Sequence, residues 1–420
     1  MGDVHHSNQS TANQSMVATS LTRRRHISTF TNRMKRRINT TLISVAFIYF
    51  LFSLVSYAEL DREYLNHLSI KSVDEIKETL KSKTSDEQAE YSLELSKLEL
   101  NKRNFSTAQI WLDYVLKEFP QHYSTCSQAW CFKAQLSWAQ SNYHGFFINI
   151  DNAIEASKKA NEYDRLKYYV HLKAGNEHSI GMLKESKQTL NQLIDLAESN
   201  SDKEAKLTAL HESALLSYKM GNIEEAKDLA LTANEFNLSI QNVHAQGMID
   251  KTLGNIARGE EKPKEAEEYF SKAIKSFTEI NNHHEVGNCF YNRSLLKIDT
   301  GSGSAAILDL HEAIYNFTRS GSTGGVGMSH MTLGSTCLGL KKLDAAEIHL
   351  DLARFFNKRS NSQFRLAQTY MFLGNLAIAK EDSRVAVEYY SHSKRIYLEL
   401  GLENDAKRIS RLIKNTQEMK

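Results

Sequence analysis

Small and apolar residues recur at every fortieth position along the C-terminal half of the chain. Alanine occupies one phase in five successive units: Ala226, Ala266, Ala306, Ala346 and Ala386. A second series of small residues follows seven positions later: Ala233, Ala273, Ala313, Ala353 and Ser393. A third series precedes both: Gly254, Ser294, Gly334 and Gly374. A fixed period with small residues at fixed phases is typical of stacked-repeat proteins.

Within one period the pattern predicts two amphipathic helices joined by a short turn. In the unit near residue 247, Gly254 and Ala257 lie on one helix face, and Ala266, Phe270 and Ala273 lie on the next. Spacings of three and four positions place each group on a single face. Small side chains at the crossing would let the two backbones approach closely, so we expect a helix–turn–helix unit.

This pattern resembles the tetratricopeptide repeat family. The resemblance rests on Trp130, Leu253-Gly254, Ala266, Phe270 and Ala273. The period exceeds the usual 34 of the family and is similar to its longer-helix variants. The resemblance covers residues 89–402, in units near 89, 127, 167, 207, 247, 287, 327 and 367. It implies an all-α, right-handed solenoid of about eight repeats, of an exported bacterial type.

The two ends of the array have different expected roles. Residues 59–88 are predicted to form one or two polar helices at the front. Residues 403–420 are predicted to form a capping helix, in which Ile409, Leu412 and Ile413 cover the last repeat. Lys407 and Arg411 would face water, as the polar outer side of a terminal cap requires.

The N-terminus predicts export. A basic block at 34–37 precedes the apolar run 42–58, which ends in Ser56-Tyr57-Ala58. These are the three parts of a secretory signal peptide over 34–58, behind a polar, basic leader at 1–33 that is either an over-extended start or a short cytosolic tail. The alternatives are an uncleaved inner-membrane anchor with the repeats outside, and a buried first helix of a cytosolic protein. Export predicts a periplasmic location.

Net charge and cysteine content limit the functions that the chain can have. The chain has 52 basic and 50 acidic residues, of which 7 and 1 lie at 1–58, so the remainder carries 45 − 49 = −4. That balance offers no cationic surplus for nucleic acid. Cys126 and Cys131 could form a disulfide in an exported chain, although their spacing is geometrically awkward. Cys289 and Cys337 are expected to be core residues. No metal or cofactor motif is present.

The resemblance implies a concave groove lined by the first helix of each pair. Lys251, Asn255 and Asn292 would lie together there, similar to the carboxylate clamp of chaperone-binding members of the family. Met328 and Thr332 occupy the positions of the remaining basic pair, so the match is partial. The other candidate partner-binding residues on this face are Trp138, Tyr168, His171, Tyr218, Tyr291, Met331, Met371 and Asn375.

Two further segments invite a chemical interpretation that the sequence does not support. The glycine-rich stretch 321–327 lacks the Lys-Ser/Thr of a phosphate-binding loop and is expected to be a flexible connection. His283, His284 and Glu285 have no further ligand at helical spacing and are expected to form a solvated connector. No catalytic motif appears, so we expect a protein that is not an enzyme.

The sequence therefore predicts a non-enzymatic, exported scaffold that binds a partner polypeptide on its concave face. A role in assembling or regulating an envelope complex would follow from the location. One alternative is a sensor module that binds a ligand or peptide and acts on a signalling protein in trans. An enzyme subunit is the other, and it would need convergent titratable groups.

Overall fold

The computed structural model describes residue 68 and residues 71–418. The chain divides into two units, 1–71 and 72–420, and all of the helices named here belong to the second. The leader 1–33, the segment 34–58 and the first part of 59–88 lie outside the described residues. The described part contains eighteen helices: α1 Val73–Leu80, α2 Ser85–Asn101, α3 Phe105–Glu118, α4 Tyr123–Ala139, α5 Tyr143–Lys159, α6 Tyr163–Ser179, α7 Leu183–Ser199, α8 Lys203–Lys219, α9 Ile223–Leu238, α10 Val243–Gly259, α11 Pro263–Glu279, α12 His283–Asp299, α13 Gly303–Arg319, α14 Thr323–Gly339, α15 Leu343–Arg359, α16 Gln363–Ala379, α17 Ser383–Glu399 and α18 Glu403–Glu418.

Helices α2 to α17 form eight antiparallel pairs, each packed against the next, and α18 follows the last pair. We call the first helix of each pair the A helix and the second the B helix. From α4 onward an A helix begins at every fortieth position, as at Tyr123, Tyr163 and Lys203. Most helices in this part have the same length as α4, which is 17 residues. The prediction of an all-α solenoid of helical repeats is confirmed.

The turns explain why the period is so regular. From position 141 to position 401, every twentieth residue has positive φ, in the turns within repeats as well as between them. At Lys341 (φ 58°) the amide donates to the Leu338 carbonyl at 3.0 Å, and the Lys342 amide donates to the Cys337 carbonyl at 2.9 Å. This pair of bonds is the Schellman motif, which satisfies carbonyls at the end of a helix. A repeat therefore consists of two equal half-periods that end in the same turn. The turn after α9 is an exception, because the Asn242 amide donates to Asn237 Oδ1 at 3.1 Å instead of to a backbone carbonyl.

The small residues lie where the A and B helices cross. A Cβ atom at position 254 would lie 2.7 Å from the Phe270 ring, and one at position 334 would lie 2.7 Å from Leu350 Cγ. The aligned alanines, including Ala266, are fully buried. Because interiors are close-packed, larger side chains at these positions would push the helices apart. The predicted role of the small residues is confirmed.

Two segments that the sequence predicts to be connections between helices are themselves helical. The turn before α14 covers positions 320–322 only, and Gly325 and Gly327 lie inside the helix. Each faces a large neighbour, because an added Cβ would lie 2.5 Å from Phe317 or 2.4 Å from Asn357 Oδ1. Glycine at these positions permits close helix contact, so the prediction of a flexible segment was wrong.

The segment His283–Glu285 is likewise the first turn of α12 and not a solvated connector. His283 Nδ1 lies 3.0 Å from Asn316 Oδ1, and Glu285 is buried. This turn packs against neighbouring helices, although its polar sequence indicated exposure to solvent. Within 71–418 we find no group of three or more histidine, cysteine or acidic side chains arranged to hold a metal ion.

The proposed Cys126–Cys131 disulfide is not formed. Both residues are buried free thiols of α4, and Cys126 Sγ donates to the Phe119 carbonyl at 3.2 Å. Positions this far apart in an ideal helix have Cα atoms about 8.6 Å apart, which exceeds the roughly 7 Å that a disulfide spans. Cys289 and Cys337 are buried, as expected.

The last helix covers the end of the array. Ile409 is fully buried against the final repeat, whereas Lys407 and Arg411 are exposed. The predicted capping helix is thus present. Within the described ranges, no helix is both long and apolar enough to cross a membrane, and the apolar run 42–58 lies outside those ranges.

Candidate functional site

Helix α2 contacts α4 directly, and each A helix from α8 to α14 contacts the next A helix directly, beyond their contacts with the intervening B helices. Neighbouring A helices that approach this closely lie on the inner side of a curved stack. We call the surface they form the A face. All twelve candidate binding residues lie on the A helices α4 to α16.

Side-chain pairs cross the A face from one repeat to the next, and the partners in each pair stand one period plus one position apart in sequence. His171 Nε2 lies 2.8 Å from Glu212 Oε1, and Tyr291 Oη lies 3.2 Å from Thr332 Oγ1. His211 Nε2 lies 3.0 Å from Thr252 Oγ1. This separation sets each side chain beside the next A helix, so the pairs form a ladder along the array.

The first of these pairs joins an imidazole to a carboxylate. Burial alone lowers the pKa of His171 and raises the pKa of Glu212. The charge of the partner and its hydrogen bond together outweigh burial, with the charges of His211 and His178 also acting on Glu212, so the pKa of His171 is raised and that of Glu212 is lowered. A second row of contacts lies near the C-terminal ends of the A helices, where Arg258 Nε donates to Asp299 Oδ2 at 2.6 Å.

The ladder is interrupted between α10 and α12. Lys251 occupies the register of His211 and Tyr291, but its Nζ donates to Glu285 Oε2 at 2.5 Å, in the first turn of α12. Both side chains are largely buried. Burial raises the pKa of Glu285, but the charge of Lys251 and its hydrogen bond bring that pKa below its usual value.

This ion pair changes the predicted clamp. An ammonium already paired with a buried carboxylate is not available for the carboxylate of a peptide, since breaking the pair would leave Glu285 charged and buried. The sequence analysis missed Glu285 as the partner of Lys251. The separation of these two residues differs from that of the ladder pairs, so no repeat register pointed to the contact.

The interruption leaves two carboxamides without partners. Asn255 and Asn292 are half-buried on α10 and α12, and neither makes a hydrogen bond with any residue that the structure describes. Asn375, at the register of Asn255, instead accepts a bond from Tyr390 Oη at 2.8 Å. A carboxamide offers two donor hydrogens and an acceptor oxygen. Asn255 and Asn292 therefore have hydrogen-bonding capacity to spare, as do Gln128, Gln135 and Gln368 on other A helices.

The aromatic candidates are largely used in packing. Trp138 packs against the edges of Tyr143 and Phe146 of its own B helix, with ring centroids 4.9 and 5.1 Å away. Tyr218 packs on the core around Leu253. Tyr168 is half-buried beside Tyr169, with ring centroids 5.7 Å apart, and burial raises its pKa.

The methionine candidates also contribute to the core. Met331 is buried, and Met328 packs on the cluster around Phe317. Met371 packs on the last cluster, with its sulfur 3.7 Å from Arg408 Nη2. Sequence spacing identified the correct helices for these residues, but not whether the side chains would be free.

A cleft of about 620 Å³ opens elsewhere, between α9, α10 and α11. Its lining includes the carboxylate of Asp250, whose pKa burial raises to about 6. Gln246 Nε2 donates to Asp250 Oδ2 at 3.3 Å and to Asn234 Oδ1 at 2.7 Å. None of the twelve predicted residues lines this cleft.

Comparisons with known proteins concern the fold. No family model and no curated protein matches the chain. Among solved structures, a signal transduction ATPase with numerous domains (STAND) and a tetratricopeptide repeat sensor, from Pyrococcus horikoshii, is 14% identical over 87% of this chain and 65% of that one, with a TM-score of 0.52.

Two further matches are more distant in shape. A Rap protein complexed with competence and sporulation factor is 11% identical over 79% of this chain and 98% of its own, with a TM-score of 0.48. BtubC (BKLC) from P. vanneervenii is 19% identical over 52% and 92%, with a TM-score of 0.47. The chain has the fold of the tetratricopeptide-repeat solenoids, built on a lengthened period. The helix pairs and their turns support this, as does the match to the signal transduction ATPase.

Proposed function

We propose that this protein is a non-enzymatic interaction scaffold that binds an extended segment of a partner polypeptide on the A face. The observation that carries the proposal is the pair of unpartnered carboxamides, Asn255 and Asn292, on adjacent A helices where the ladder is interrupted. A peptide backbone presents one donor and one acceptor per residue. A carboxamide matches both, so two of them would hold an extended chain in place.

The Lys251–Glu285 pair specifies the kind of segment. Because the pair is internally neutral, the site offers no free ammonium to a terminal carboxylate. We therefore propose recognition of an internal segment through its backbone, and not of a free C-terminus. Tyr291 on α12 supplies an apolar ring beside the site while its hydroxyl contacts Thr332.

The binding experiment compares three single variants with the full-length wild type. Asn255→Ala and Asn292→Ala are each expected to weaken capture of the partner about fivefold, since one lost hydrogen bond contributes on the order of 1 kcal/mol. Asn152→Ala is the matched control, because Asn152 is a half-buried asparagine of the B helix α5.

In-cell crosslinking followed by quantitative pull-down measures the effect. A partner recovered equally with all three variants would refute the A-face site. If the wild type captures no protein, and a small molecule raises its melting temperature instead, the alternative of a ligand-binding sensor module would be preferred.

We further propose that the repeats act outside the cytoplasm of a bacterium, in an envelope complex. The support is the basic block, apolar run and small-residue end of the segment 34–58. Alkaline phosphatase fused after residue 420 is expected to be active, and the same fusion without the segment 34–58 is expected to be inactive. Equal inactivity of both fusions would contradict export.

A further inference from the structure

We propose that the outer surface of repeats six and seven binds a second copy of this chain, through an antiparallel, two-fold pairing of α13 and α15. The surface consists of five exposed apolar residues, which we call the B-face patch: Leu308 and Tyr315 on α13, and Ile348, Leu352 and Phe355 on α15. It lies on the B helices and is separate from the A face.

The patch is local to these two repeats. At the register of Tyr315 and Phe355 the other B helices from α5 onward carry charges: Glu155, Asp195, Glu235, Lys275 and Arg395. At the register of Leu308 and Ile348, helix α5 carries the apolar Ile148. The other B helices carry polar residues there: Gln188, Asp228, Glu268 and Glu388. The solenoid fold therefore does not require apolar residues here. Contiguous exposed apolar surface on a soluble protein marks an interaction site.

The spacing suits a helix partner. Ile348, Leu352 and Phe355 are separated by four and three positions, which is the spacing of a coiled-coil seam. Leu308 and Tyr315 repeat the first and last of these positions one period earlier. Helix α15 thus presents an apolar stripe, and α13 presents Leu308 and Tyr315 on either side of the exposed Glu312. Leu308, Ile348 and Phe355 are 68%, 60% and 57% exposed.

Charge identifies the partner as a second copy. The N-terminal half of α15 exposes Asp344, Glu347 and Asp351, of which Glu347 is paired with Lys380 and Asp351 with Arg354, and its C-terminal end exposes Lys358 and Arg359. A helix that is acidic at one end and basic at the other is complementary to itself when the two copies run antiparallel. Two-fold interfaces require this kind of self-complementarity.

The same symmetry also matches the apolar residues. With the two-fold axis between positions 351 and 352, Ile348 lies opposite Phe355 of the second copy, and Asp344 lies opposite its Arg359. The equivalent operation on α13 sets Leu308 opposite Tyr315. Neither Asp344 nor Arg359 forms an ion pair with the residues that the structure describes, so both charges are available to the second copy.

Sedimentation equilibrium of the full-length chain tests the proposal. The wild type is expected to form dimers, and the double variant Ile348→Glu with Phe355→Glu is expected to dimerise at least a hundredfold more weakly. Glu268→Gln with Lys275→Gln, at the same registers of α11, is the matched control and should leave the dimer intact. Because every changed residue is exposed, circular dichroism should show all variants folded.

Charge exchange tests the pairing itself. Asp344→Arg is expected to weaken dimerisation about tenfold, because it opposes Arg359 of the second copy, and adding Arg359→Asp is expected to restore it. A wild type that stays monomeric would overturn the proposal, as would a dimer that survives the Ile348 and Phe355 changes, including one formed through the segment 42–58. A monomer that floats with lipid vesicles only while the B-face patch is intact would assign the patch to a membrane and also overturn it.

Discussion

Acid should destabilise this solenoid through a histidine pair in repeat seven, and replacing one histidine should remove a calculable part of the effect. His330 of α14 is buried, and its Nδ1 lies 3.2 Å from Nδ1 of His349 on α15. Its ring also stacks on Phe356, with centroids 5.9 Å apart. Burial, and then the charges of His349 and His311, lower the pKa of His330 from 6.5 to about 4.

The direction of the pH effect follows from proton uptake. The unfolded chain binds a proton at His330 near pH 6.5, whereas the folded chain does so only near pH 4. The stabilisation is therefore complete above pH 6.5 and declines as the pH falls from 6.5 to 4. With these two values, the loss is about 2 kcal/mol at pH 5 and roughly 3 kcal/mol at pH 4 and below.

His330→Phe is the test, because Phe290 occupies the same register in repeat six and shows that this position accepts a phenyl ring. Urea unfolding followed by circular dichroism at pH 7 and pH 5 should show that the variant loses about 2 kcal/mol less than the wild type. The buried His211 contributes equally to both proteins and cancels. His144→Gln, on an exposed face of α5, should behave like the wild type. Equal losses in wild type and His330→Phe would refute the reasoning.

Two further predictions concern packing and charge, and a third concerns the thiols. Gly334→Ala should lower the free energy of unfolding in urea by about 1–3 kcal/mol, because its Cβ would lie 2.7 Å from Leu350 Cγ. Gly339→Ala in the same helix has no atom within 4 Å of its Cβ and should raise that free energy by about 0.5–1 kcal/mol. Equal effects of the two substitutions would contradict the crossing geometry. Lys251→Met should lower the free energy of unfolding by about 3–5 kcal/mol, because it leaves Glu285 buried and unpaired. Adding Glu285→Met should recover most of this loss. Additive losses in this double-mutant cycle would show that the pair is not coupled. Finally, all four cysteines should react with a thiol reagent only after unfolding, since all are buried free thiols; reaction in the folded protein would contradict this.

The fold could be predicted because its main constraint is local and repeated. Gly254 must be small to admit Phe270, and the same requirement recurs at Gly334 and Gly374. A steric requirement that returns in every repeat leaves a trace that a single sequence reveals. The half-period was harder to see, because serine, asparagine, glutamate, lysine and glycine all occupy the positive-φ position.

The candidate site could be predicted only in part. The sequence placed the candidate residues on the A helices, where they lie, but whether a side chain is free depends on residues in the next repeat. Lys251 has the same register as Tyr291, yet its partner Glu285 lies in a different turn. Periodicity cannot reveal such a contact, because it occurs once. By contrast, the pairing of His171 with Glu212 could have been found by comparing neighbouring registers across the repeats.

The equivalence of the turns has a consequence for how such a chain can change in length. Because the turn after an A helix is the same as the turn after a B helix, the backbone would accept the gain or loss of a single helix and its turn without strain. The side chains would not accept this change. Every later A helix would take the position of a B helix, so residues suited to the A layer would face outward. Gene duplication in this protein is therefore restricted to whole helix pairs by burial alone, and the backbone geometry imposes no such limit.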